Sequence, residues 1–140
     1  MKFSVPWGNF PSVGNTEEPR PLLAPFLRTT SGRFVRETFV VDSGADFSMA
    51  SRDVCELLGL DWSEGELTQL RGISPRDECV VAAAVHYVDL YVREADFHLV
   101  LPICFAEGDA PSLLGRRGFF DHFRVLFDKR QLLTQFEIDK

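Results

Sequence analysis

The chain holds few of the residues that build metal or disulfide sites. Its three cysteines, Cys55, Cys79 and Cys104, stand far apart in 140 residues, and no two form a Cys-x-x-Cys pair. Structural zinc draws its ligands from close pairs of cysteine and histidine, and His86, His98 and His122 are scattered as well. No metal and no cofactor is therefore expected. Three thiols cannot all pair within one chain, so reduced cysteines in a reducing compartment are expected. Basic residues are in deficit: 15 Lys plus Arg face 21 Asp plus Glu, for a net charge of −6. Phosphate backbones select for a basic surplus, so nucleic acid is not an expected partner. No apolar run nears the ~18 residues of a membrane span. The opening MKFSVPWGNF also lacks the unbroken apolar stretch of a secretory leader. The expectation is a cytoplasmic protein that partners neither nucleic acid nor membrane.

What the chain does have is apolar mass in short pieces. Hydrophobic residues make up 45%, with 13 Phe, which is too much buried surface for a disordered chain. A single domain over residues 1–140 is expected, with 1–20 as a peripheral segment. β-branched and aromatic runs bounded by turn residues predict strands over 22–29, 34–41, 67–73, 78–92 and 97–105. A terminal hairpin of 124–127 and 132–138 is expected about Asp128-Lys129-Arg130-Gln131. Residues 50–60 read as the best helix: Ser51 as cap, Asp53 near the positive end, Val54, Leu57 and Leu58 at helical spacing, and Gly59 as the stop. A short helical turn is expected over 117–123. Many short strands and one or two short helices predict an all-β domain, a small closed barrel-like fold.

Asp42 carries the chemistry. It follows Phe39-Val40-Val41 directly, a wholly apolar strand end. A carboxylate buried there costs several kcal/mol unless it is bonded. Gly44 permits a sharp turn and close backbone approach, and Ser43 supplies a hydroxyl.

The segment Phe39-Val40-Val41-Asp42-Ser43-Gly44-Ala45-Asp46, continued by Ser48 and Met49, resembles the active-site signature of the retropepsin-like aspartic peptidases. Leu113-Leu114-Gly115-Arg116 matches that family's second landmark, two apolar residues before Gly-Arg, in the right order. The Gly118-Phe119-Phe120-Asp121-His122-Phe123 run that follows is similar to the bacterial branch. The resemblance covers 34–137, with Ser43 standing where many members have Thr. It implies an all-β fold that supplies one half-site per chain, with Asp42, Ser43 and Gly44 catalytic. It implies substrate binding by Ala45, Asp46 and Leu113, and by Gly72 and Ile73 at a flap tip. Gly115 and Arg116 are implied as structural support, with Arg116 bonded to Asp46. The implied mechanism uses two aspartates and a water, one carboxylate as base and the other, protonated, as acid. Only one Asp-Ser-Gly occurs in the chain. If the chain is a peptidase, the second aspartate is Asp42 of another copy, and the active species is a homodimer acting on a peptide or protein. The alternative is a protease fold kept as a catalytically weak or inactive module for peptide binding or dimerisation.

Overall fold

The computed structural model describes residues 1–9, 18–70 and 80–139. Strand β1 (Lys2–Pro6) is followed by two apolar segments, each expected as one strand and each interrupted. The first is split into β2 (Leu22–Leu23) and β3 (Phe26–Arg28), the second into β4 (Phe34–Arg36) and β5 (Phe39–Val41). Pro25 has no N–H to give to a ladder. Across from it, the Glu37 N–H donates to the Pro25 carbonyl at 3.2 Å, and Arg36 Nε donates to the Ala24 carbonyl at 3.1 Å. β3 pairs with β4 and β2 with β5, so the two segments form one hairpin folded at its waist.

β6 (Ser48–Ser51), β7 (Glu66–Leu70), β8 (Val81–Val92), β9 (Phe97–Ala106) and β10 (Leu113–Leu114) complete the main sheet, and the helix α1 (Arg52–Leu57) follows β6. Its order is β2-β5-β10-β6-β9-β8-β3-β4, with β7 also paired to β8. The two ends of this path are the two halves of the bent hairpin. The chain therefore curls the sheet back on itself, and the all-β, barrel-like expectation is met. The fully buried Leu23, Leu27, Phe39, Leu101, Phe105 and Leu114 fill the inside.

The helix starts later than 50 and is shorter than expected. Ala50 is fully buried in β6, in register with Phe105 of the parallel neighbour β9, so packing overrides its helix propensity. Ser51 sits at the N-cap without a side-chain bond. Gly59 ends the helix at φ +81, and Leu60 N–H reaches back to the Cys55 carbonyl at 3.2 Å. The expected helical turn over 117–123 is an irregular one over Arg116–Phe120. Gly118 takes φ +90 there and packs so close that a Cβ would stand 2.7 Å from Leu101 Cβ.

A second sheet, β1-β12-β11, joins the chain's two ends through β11 (Arg124–Asp128) and β12 (Leu133–Glu137). Phe3 stacks on Phe136 at 4.9 Å, and Trp7 Nε1 donates to the buried Thr134 Oγ1 at 2.8 Å. Among the described residues, no helix is long and apolar enough to cross a membrane.

Candidate active site

β5 is buried along its whole length, and its burial stops at Val41. The chain leaves the sheet at Asp42 but stays tied to it, because Asp42 N–H donates to the Leu114 carbonyl at 2.9 Å. Asp42 Oδ1 accepts from Gly44 N–H at 2.9 Å, and Ala45 N–H donates to the Asp42 carbonyl at 3.2 Å. This is an Asx turn that the Asp-Ser-Gly order makes locally. A Cβ on Gly44 would stand 3.2 Å from Asp42 Oδ1. The expected burial of the Asp42 carboxylate is corrected here: in the single chain it is half-exposed, and Ser43 beside it is exposed.

β10 is the strut under this turn. It runs parallel to β5, pairing Leu113 with Val40 and Leu114 with Val41, and antiparallel to β6 at Met49. Beyond it, Gly115 N–H donates to Ser48 Oγ at 3.1 Å, a buried bond between a fully buried hydroxyl and a buried amide. A Cβ on Gly115 would stand 2.9 Å from the Ala45 carbonyl oxygen and closer still to Phe47. Arg116 N–H then donates to the Ala45 carbonyl at 2.9 Å, and Arg117 N–H to that of Asp46 at 3.0 Å. The Arg116 guanidinium donates to Asp46 Oδ1. Both side chains of that pair are more than half exposed.

A cleft of about 460 Å³ opens beside the turn. Gly44, Ala45, Asp46 and Leu113, all named from sequence, line it. Gly72 and Ile73 lie outside the described residues. Phe47, Met49, Gln69, Leu70, Cys104 and Pro111 also line it and were not expected to. Apolar side chains on strands look like core in a sequence, and Met49 and Cys104 do pack with Leu70 and Leu113 as a small cluster apart from the main core. Burial raises the Cys104 thiol above its ordinary range, which keeps it neutral and the cleft floor apolar. Among the described residues, no three His, Cys, Asp or Glu side chains gather to hold a metal.

One chain presents one carboxylate at the turn. Acid and base roles in a single step need two groups with different protonation. The next carboxylate along, Asp46, already accepts from Arg116.

No family model matches the sequence, and no curated protein matches it. Among solved structures, a retropepsin-like aspartic protease from Rickettsia conorii is similar to this chain. The TM-score is 0.56 with 20% identity, over 82% of this chain and 90% of that one. The likeness establishes the fold: the chain has a retropepsin-like all-β fold.

Proposed function

We propose that the chain is an aspartic endopeptidase that works as a homodimer. The observation that carries this reading is the Asp42-Ser43-Gly44 turn, strapped to β10, with Gly44 and the following Ala45 and Asp46 on the wall of the cleft. Two such turns brought together about a two-fold axis put two Asp42 carboxylates side by side. Two adjacent like charges cannot both ionise readily, so the pair holds one proton. The ionised member takes a proton from a water, which attacks the peptide carbonyl carbon. The protonated member donates to the carbonyl oxygen. Gly44 N–H fixes Oδ1 of each carboxylate, and among the described residues nothing bonds Oδ2, which stays available to water. Ser43, exposed in the single chain, bonds across the axis and locks the two turns. The apolar floor of Met49, Leu70, Cys104 and Leu113 takes a hydrophobic substrate side chain.

The test is cleavage of a dye-labelled unfolded protein across pH 3 to 8, followed against enzyme concentration. The rate should peak on the acid side of neutrality and rise faster than linearly while dimer is scarce. A sedimenting monomer with a linear rate would overturn the dimer. Peptide binding with no turnover at any pH would leave only the binding-module reading.

A further inference from the structure

Two arginines follow Gly115, and the fold engages them differently. The Arg116 side chain bonds Asp46. Arg117 is pinned by its backbone amide on the Asp46 carbonyl, and its guanidinium lies 4.6 Å over the Phe47 ring. Among the described residues, that guanidinium has no carboxylate at ion-pair distance and no hydrogen-bond acceptor. A cation over a ring face is held by the ring's quadrupole without using its N–H donors. The Arg117 fork is therefore both positioned and open to a carboxylate.

Its place gives this meaning. Asp46 and Phe47 line the main cleft, and they also line a shallower groove of about 540 Å³ shared with Arg116, Arg117 and Asp121. A strand lying in the cleft and leaving past Phe47 enters that groove. Both carboxylates there are already engaged, Asp46 by Arg116 and Asp121 Oδ2 by the Gly118 N–H at 2.9 Å. The chain as a whole carries −6. An acidic ligand therefore needs a local cation, and beside the cleft Arg117 offers one that Phe47 holds in place.

We propose that Arg117, seated on Phe47, is a specificity-determining residue that selects a peptide with an acidic side chain at the position leaving the cleft past Phe47. The proposal rests on the cleft being a peptide site and is independent of turnover. The test uses labelled octapeptides with Leu-Phe at the centre and alanine elsewhere. A single Glu replaces each alanine in turn, and each Glu peptide is matched by its Gln partner. Binding is measured by fluorescence anisotropy on the Asp42→Asn protein, and cleavage on the wild type. At one position Glu should bind about fivefold tighter than Gln, as for a partly exposed ion pair, and the ratio should shrink in 0.5 M salt. Arg117→Gln should bring the ratio to about one, Arg117→Lys should keep part of it, and Arg117→Glu should turn the preference toward Lys. Equal binding of Glu and Gln peptides at every position, or a ratio unmoved in Arg117→Gln, overturns the proposal. A Glu preference in binding without any cleavage would overturn the peptidase reading alone. Cleavage without that preference would overturn this one alone, and failure of every peptide to bind would overturn both.

Discussion

Gly115 lies so close to Phe47 that one added methyl group would overlap the Phe47 carbonyl. Backbone stands on both sides of the contact, so neither can swing away as a side-chain tip would. Gly115→Ala should therefore cost at least about 2 kcal/mol, the range of overpacking in a rigid setting. Gly108 is the control: its φ is +82 but nothing stands within 4 Å of its added Cβ. Gly108→Ala should cost only about 1 kcal/mol, from backbone strain alone. Urea unfolding of both variants checks this, and equal costs would show that the crossing under the Asp42 turn has room to give.

The Arg116–Asp46 pair should matter far less to stability. Arg116 is 57% and Asp46 72% exposed, so solvent screens the attraction. Arg116→Ala should cost less than about 1 kcal/mol, and less still in high salt. A loss above 2 kcal/mol in the same unfolding assay would mean that the guanidinium braces the turn beyond its one carboxylate.

Which of these features a sequence could reveal follows from how far apart their partners lie. The Asp42-Ser43-Gly44 turn is legible because its bonds are local: Gly44 is two residues from the oxygen it bonds. The need for glycine at 115 shows as a motif, yet its reason does not, since Ser48 and Phe47 approach it from 67 and 68 residues away. Strand composition located both arms of the first hairpin. The waist at Pro25 and Glu37 does not show in the sequence, because strand propensity says nothing about where a sheet must curl. Ala50 reads as helix by propensity and becomes strand because β9 lies beside it. The cleft floor stayed hidden for the same reason: Met49 and Cys104 meet only through the parallel pairing of β6 and β9.

Burial pushes the Cys55 thiol up to about 11 from 9.0, with Glu56 adding to the rise. The folded value lies above the unfolded one, so this contribution to stability is fully present below pH 9. It is lost as pH rises toward 11, because the unfolded chain releases its proton first. Between those limits the loss should reach about 2 kcal/mol. Cys55→Ala should lower stability slightly at pH 7, by about 1 kcal/mol for the small void, and flatten the alkaline fall of Tm. Cys104 shifts in the same direction, so the flattening should be partial. Melting curves from pH 7 to 11 decide it, and parallel alkaline limbs in both proteins would show that the thiol ionises freely in the fold.

In the proposed dimer each active site takes one Asp42 from each of two chains, and mixing two kinds of chain exposes this. Asp42→Asn keeps the side chain's shape and its acceptor for Gly44 N–H but provides neither acid nor base. Wild type is held at a fixed concentration high enough that its rate is linear in enzyme and the dimer saturated, equilibrated with a ninefold excess of Asp42→Asn, and assayed for cleavage of an unfolded protein. Random pairing leaves about one tenth of the wild-type chains with a wild-type partner. A shared site lowers the rate to about one tenth, while the variant alone gives none. A rate unchanged by the excess would mean that a single chain carries the whole site, and would contradict it.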